Sequence, residues 1–494
     1  MEMELIKAFN DTNNIIDAKE RTTMKDTLIS KMYTLVCTTK KISIDSMICD
    51  DSCGLNALFM VCILAKLRKF DCYDGEIMTM SRLNIVLSLT SHQSKYLRHT
   101  ARTLVYNLIT EKSLSVDENE LVTSHLVKYD YDGNEGSNWA WDCLIKICKP
   151  DEDSFVGSLI SQAVSDSVGF VIEGHNSEVC GRFVNEFVTP EKIPTWVRIQ
   201  GLTFGQYSDD TQLARETYVS IVQSGGKIDP ALYGMRIGCL FQPGHYRIIG
   251  YGKASALAGE ALYHGKHYSQ TGSLTTNGNG SSMRSAPLGL ILSQKTEEEL
   301  KEVVTTFSSI THASEQCIDG ALVVAFAARA AMATKNIKFN VDKFLNYIDH
   351  QVNNVEFGCQ ILNIKNLLNA SNDEAAKNHF VSYGVKNLEE QWGDGFSSGV
   401  RQSSLWSLYC FCKYPDDFKK CVGLTISVGG DTDTTASMAM GIWGARNGYE
   451  SIPKIWANEL HDLNDWKLDE LVQLVKDVYK MVIVRPMNSG TLDL

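Results

Sequence analysis

Apolar residues along the first third of the chain recur three and four positions apart. Leu55, Leu58, Phe59, Cys62 and Ile63 form one such stripe, and Leu104, Val105, Leu108 and Ile109 another. That spacing gathers side chains on one face of an α-helix. The same period runs through Leu213, Ala214, Thr217 and Ile221, just after a polar cluster at 208–211. Between Thr434 and Gly448 the pattern changes character. Ala436, Ser437, Ala439, Gly441, Gly444 and Ala445 line much of the predicted helix, and small side chains let helix axes approach closely. Strand-like alternation is rare, and the Ile248-Ile249 and Leu424–Val428 runs are too short to build a sheet. The pattern predicts an all-α protein built around a compact helical bundle.

A chain of 494 residues exceeds one ordinary domain. The seam is predicted at Lys149-Pro150-Asp151-Glu152-Asp153-Ser154. Pro150 disfavours helix at Lys149, and Ser154 is placed to cap the helix that follows. Residues 1–150 read as a helical accessory domain without a catalytic motif or a fixed repeat period, which leaves a protein partner as its open role. Residues 151–494 carry the chemistry.

Charge sharpens that division. The formal net charge is −12, and residues 1–150 contribute about −2 of it, so residues 151–494 hold about −10. Such a chain does not bind nucleic acid by bulk charge. Apolar residues at 44% and charged residues at 21% exclude collagen-like and wholly disordered classes. The 14 cysteines are scattered, and Met1–Asn10 lacks the basic start and apolar core of an export signal. An intracellular, cytoplasmic protein with reduced cysteines is expected. Cys49 with Cys53, or Cys410 with Cys412, lacks a second pair at zinc spacing. The longest apolar run, Ala57–Ala65, is too short for a bilayer and soon meets Arg68-Lys69, so no membrane span is expected.

Two segments carry candidate chemistry. Tyr207-Ser208-Asp209-Asp210-Thr211 and Gly429-Gly430-Asp431-Thr432-Asp433-Thr434 each put carboxylates and hydroxyls at a helix N-terminus. Taken alone, Asp209-Asp210 reads as a cap on a solvated turn. The second segment alone serves either a turn or a ligand site, since paired glycines allow the sharp backbone path that presents both carboxylates together. Taken together, the two segments offer an all-oxygen set: Asp209, Asp210, Asp431 and Asp433, with the hydroxyls of Ser208, Thr211 and Thr434. Hard oxygen ligands suit Mg²⁺ or Mn²⁺. With Glu173 added, five carboxylates converge and cannot all stay ionised without cations. Two divalent ions would nearly neutralise them, in an arrangement known from two-metal catalysis.

An apolar run before Asp-x-Asp-x-Thr, as in Leu424–Thr435, also resembles phosphatases with an aspartate nucleophile. The motif lies too near the C-terminus for the rest of that fold, and Gly429-Gly430 does not suit a central strand. Gly250-Tyr251-Gly252-Lys253 fails as a phosphate-binding loop because Ala254 follows the lysine. A third segment, Asn277-Gly278-Asn279-Gly280-Ser281-Ser282-Met283-Arg284, exposes backbone N–H groups for a phosphate or ribose, or else is simply a polar turn before a helix.

The order of these motifs, over roughly Phe155 to Arg485, resembles the ADP-ribosylglycohydrolase family. Phe155–His175 resembles its opening helix, Ser208–Thr211 its Thr-Asp-Asp-Thr motif, and Gly250–Gly265 with Asn277–Gly289 its glycine-containing ligand segment. Ile310–Ser314 resembles its Thr-His motif and Gly429–Gly448 its Gly-Gly-Asp-x-Asp motif. The resemblance implies a compact all-α fold around two Mg²⁺ or Mn²⁺ ions. It also implies hydrolysis of the bond between ADP-ribose and a modified acceptor, a protein side chain or an ADP-ribose polymer or conjugate.

By position, the resemblance implies that Ser208, Asp209, Asp210, Asp431, Asp433, Thr434 and Glu173 are metal ligands. Asp210 and Glu173 are the candidates to steer or deprotonate the attacking water. Asn277, Gly278, Asn279, Gly280, Ser281, Met283 and His312 are expected to line the ADP-ribose site, with Phe396–Val400 near the adenosine. The Glu173 context resembles the serine-type acceptor hydrolases. Two departures are modest: Ser165 replaces the first glycine of the opening motif, and Ser208 replaces a threonine while keeping its hydroxyl. A catalytically inactive ADP-ribose reader is the rival reading, and the complete acidic set argues against it. Asp166 and Arg284 are expected to pair inside the fold, and Trp392 and Trp406 to belong to the core or a pocket wall.

Overall fold

The computed structural model describes residues 80–91, 95–110, 114–131, 137–188, 204–370, 372–383, 395–463 and 465–484. Leu55–Ile63, Ala57–Ala65, Cys49, Cys53 and Trp392 lie outside them. The described residues are helical, with isolated backbone bridges and no strands, so the protein is all-α. The Leu424–Val428 run, too short for a sheet, lies in the C-terminal turns of helix Phe418–Ser427 and at its C-cap.

The chain divides into two compact units, Met1–Ile147 and Cys148–Leu494. The first holds helices Met80–Leu89, Lys95–Thr110, Val116–Tyr131 and Ser137–Ile147. Leu104, Val105, Leu108 and Ile109 form the buried face of the second of these, as their spacing predicts.

The second unit is organised around two helices, Glu152–Phe170 and Thr432–Asn447. Asp151, not Ser154, caps the first: its Oδ1 accepts the Ser154 N–H at 2.7 Å. Both helices are buried almost all round, and glycine makes their approach possible. A Cβ on Gly444 would stand 2.1 Å from the Gly157 carbonyl oxygen, and one on Gly169 would stand 2.5 Å from that of Thr432. The small-residue stripe therefore does what its composition predicts. It brings the C-terminal turns of one helix against the N-terminal turn of the other, and Asp166 and Asp433 come with them. Helix Glu315–Ala333 packs alongside; its length and hydropathy would suit a membrane span, but it is a core helix here, 89% buried over its most apolar window. Trp406 is core: it stacks between Phe396 and Tyr409 at centroid distances of 5.2 and 5.4 Å.

Candidate metal centre

Three short segments converge at the meeting of those two helices. Ser208 caps helix Asp209–Gln223, which places Asp209 and Asp210 in its first turn. Gly429 and Gly430 take φ values of +79° and +81°, which disfavour any residue with a Cβ. A Cβ on Gly430 would stand 2.0 Å from the Phe396 carbonyl oxygen. This turn is clamped on both sides. Gly174 N–H donates to the Gly430 carbonyl and Gly430 N–H to that of His175, both at 2.9 Å, while Asp431 N–H reaches the Phe396 carbonyl at 2.8 Å. The clamp brings the loop of Glu173 beside Asp431 and Asp433.

The carboxylates fall into two groups, Asp166 with Asp210 and Asp433, and Glu173 with Asp431 and Asp433. Within each, ligand oxygens lie within 4.8 Å of one another. Ser208 Oγ donates to Asp210 Oδ2 at 3.0 Å, and Thr434 Oγ1 to the same oxygen at 3.3 Å. Asp209 N–H donates to the Ile249 carbonyl at 2.8 Å. Asp210 Oδ1 is buried without a hydrogen-bond partner among the described residues.

Asp166 was missed as a candidate ligand, and its expected pairing with Arg284 does not form. It accepts instead from Ser208 N–H at 2.9 Å, Thr211 N–H at 3.1 Å and the Thr211 hydroxyl at 2.7 Å. Arg284 donates to the Thr311 hydroxyl and lies over the Tyr233 ring. The clue to Asp166 was its place in the opening motif, one helix turn before Gly169.

Burial and mutual repulsion disfavour ionisation throughout. Glu173 is pushed up to about 8 by burial and by Asp431, Asp209 and Asp166. Burial raises Asp166 to about 6, although the Thr211 and Ser208 hydrogen bonds oppose the rise. Burial and the neighbouring carboxylates hold Asp209, Asp210 and Asp433 well above the usual carboxylate range, and burial raises Asp431. A cluster of carboxyl oxygens that resists ionisation, in which the buried Asp210 Oδ1 has no hydrogen-bond partner among the described residues, fits a hard divalent cation.

The third segment closes the site. Asn279 N–H donates to the Ser398 carbonyl at 2.9 Å, and Val400 N–H to that of Asn277 at 2.8 Å. The Asn277–Gly280 turn is thus laid along Phe396–Val400. Asn279, expected to line the ADP-ribose site, is buried, and its side chain donates to Asp431 Oδ2 at 2.7 Å and Ser403 Oγ at 3.1 Å. Ser281 Oγ donates to the Cys317 carbonyl, and Met283 is buried. Gly278 and Gly280 lie against the imidazole of His312.

Residues 149–486 match the family model of ADP-ribosylglycohydrolase. The chain belongs to the ADP-ribosylglycohydrolase family. It is 27% identical over 324 residues to the uncharacterized protein YegU of Escherichia coli, covering 63% of this chain and 93% of that one. It is 26% identical over 358 residues to ADP-ribosylhydrolase ARH3 of Xenopus tropicalis, covering 64% and 95%. It is 22% identical over 346 residues to ADP-ribosylarginine hydrolase Tri1 of Serratia proteamaculans, covering 64% and 78%. The family match lies within residues that fold as the second unit, where all three acidic and ligand segments stand.

Proposed function

We propose that the second unit hydrolyses the glycosidic bond between ADP-ribose and a modified acceptor, and that it does so with two Mg²⁺ or Mn²⁺ ions. The observation that carries this reading is the pair of three-carboxylate groups sharing Asp433 in a chain of this family. Asp166, Asp210 and Asp433 would hold one ion and Glu173, Asp431 and Asp433 the other, with Ser208, Asp209 and Thr434 beside them. When bound, such ions let these carboxylates stay ionised together and lower the pKa of nearby water.

The chain's own groups do the rest. In the Asn277–Gly280 turn the Gly278 and Asn279 N–H groups are bonded to Thr276 Oγ1 and the Ser398 carbonyl, so the Asn277 and Gly280 N–H groups are the ones offered to the pyrophosphate, which explains how an acidic protein accepts an anionic ligand. Glu173 stands on the loop after the opening helix and is half-buried. Its carboxylate accepts a proton from the attacking water as the water oxygen bonds to the anomeric carbon, the acceptor leaves with the electrons of the broken bond, and the same proton then passes to that departing atom. With the ions bound, Glu173 would stay ionised and so be able to take that proton. Asp210, held by two hydroxyls, orients the water.

A panel of peptides ADP-ribosylated on serine or arginine, plus poly(ADP-ribose), with and without Mg²⁺, tests the reading. Release of ADP-ribose from at least one substrate is expected, lost with EDTA and in Asp433→Asn. Full turnover by Asp433→Asn, or after exhaustive chelation, sinks the metal assignment. The loop context of Glu173 favours the serine substrate. Tight ADP-ribose binding without release from any member of the panel would favour a non-catalytic reader.

A further inference from the structure

His312 is 3% exposed and lies under the Asn277–Gly280 turn. A Cβ on Gly280 would stand 2.7 Å from its Cε1 and 2.9 Å from its Nε2, and one on Gly278 would stand 3.6 Å from Nε2. The Nε2 edge of the ring therefore faces the backbone that the function above assigns to the ligand. Nε2 makes no hydrogen bond among the described residues.

The other ring nitrogen is tied. Nδ1 lies 2.7 Å from the Thr311 hydroxyl, and that hydroxyl accepts from Arg284 Nη2 at 2.6 Å. Arg284 only donates, so the Thr311 oxygen spends one lone pair on it. Thr311 is fully buried. If Nδ1 carried the proton, the hydroxyl hydrogen would have no acceptor, and a buried unmet donor is costly. The hydroxyl therefore donates to Nδ1, and the ring proton sits on Nε2. The Arg284 guanidinium is itself steadied over the Tyr233 ring, 5.8 Å from the centroid.

We propose that Arg284 and Thr311 are positioning residues that fix His312 in its Nε2–H tautomer, so that a neutral imidazole donates a hydrogen bond to a phosphate oxygen of the ligand. This rests on the ADP-ribose reading for the identity of the acceptor, but not for the tautomer. Burial and the Arg284 charge keep the ring neutral, lowering its pKa to about 3. A neutral donor avoids placing a second buried positive charge beside Arg284.

The test uses the full chain labelled with [¹⁵N]histidine, free of ligand. Long-range ¹H–¹⁵N spectra distinguish the two tautomers, and the His312 signals are identified by their loss in His312→Gln. The Nε2–H form is expected in the wild type. Thr311→Val should abolish that single-tautomer signature and weaken ADP-ribose binding about tenfold by calorimetry, the size of one charge-assisted hydrogen bond. Thr311→Ser should restore both. An Nδ1–H tautomer in the wild type, or a Thr311→Val chain with spectrum and affinity unchanged, overturns the proposal. Failure of Thr311→Ser to restore the tautomer also overturns it, because a structural role alone would not depend on the hydroxyl. If the wild type shows the Nε2–H form but does not bind ADP-ribose, the functional reading fails and the phosphate-donor half of the proposal fails with it.

Discussion

Asn279 donates its side-chain amide to Asp431 across 2.7 Å, joining the glycine-rich turn to the Gly-Gly-Asp-x-Asp loop. The same amide reaches Ser403 Oγ, so the Asp431 carboxylate is oriented from the helix beginning at Val400. Groups that orient a metal ligand in this way commonly govern affinity by about 10–100-fold. Asn279→Ala should therefore weaken Mn²⁺ binding by about that factor in calorimetry. Its helical circular dichroism should stay native, because the change removes two side-chain hydrogen bonds and no backbone bond.

The raised proton affinities fix the pH dependence of metal-free stability. Glu173 rises from an ordinary 4.5 to about 8. A group raised on folding stabilises the native state fully below its unfolded value, and that contribution is lost as pH rises through the folded value. For Asp166 the loss comes between about 4 and 6, and for Glu173 between about 4.5 and 8. The metal-free chain should thus lose Tm steadily from pH 5 to pH 8. Saturating Mg²⁺ replaces the protons, so the Tm increment it gives should be larger at pH 8 than at pH 6. Thermal scans at both pH values check the sign, and an equal or smaller increment at pH 8 contradicts it.

The crossing of the two central helices is as tight as its backbone allows. A methyl group on Gly444 would collide with the Gly157 carbonyl and with Ser161 Cβ, 2.6 Å away. Overpacking of this kind typically costs about 1–3 kcal/mol. Gly444→Ala should lower the urea midpoint accordingly. It should also weaken metal binding, because displacing the helices separates Asp166 from Asp433.

Much of this was legible in the sequence because it is local. The helical period, the small-residue stripe and the acidic motifs at helix starts depend on neighbours a few residues apart. Asp166 was misjudged because its partners, Ser208 and Thr211, lie more than 40 residues away and only the fold brings them near. The bond from the Asn279 amide to Asp431 was not legible for the same reason, since Asp431 stands 152 positions on. The clue at Asp166 was the motif itself; at Asn279 no local signal distinguishes a side chain aimed at a ligand from one aimed at a carboxylate.

A buried ionic network behind the site was wholly unforeseen, and it leads to the last prediction. Asp462 accepts from Arg215 Nη1 and Gln212 Nε2, each at 2.7 Å. Arg215 also pairs with Glu216, which Arg236 shares. Gln212 in turn donates to the Arg247 carbonyl and accepts from Ile249 N–H, and Ile249 holds the Asp209 backbone. Asp462 thus supports the first acidic motif through two intermediates. Arg215 and Asp462 are 3% and 6% exposed, so removing one partner strands a buried charge. Asp462→Leu should cost about 3–5 kcal/mol of stability. Arg215→Met in the same chain removes the stranded charge and should recover most of that loss, which a double-mutant cycle in urea measures. The double variant should fold well yet bind Mn²⁺ more weakly than the wild type, because Gln212 has still lost an acceptor. Wild-type affinity in the double variant would show that the network serves stability alone.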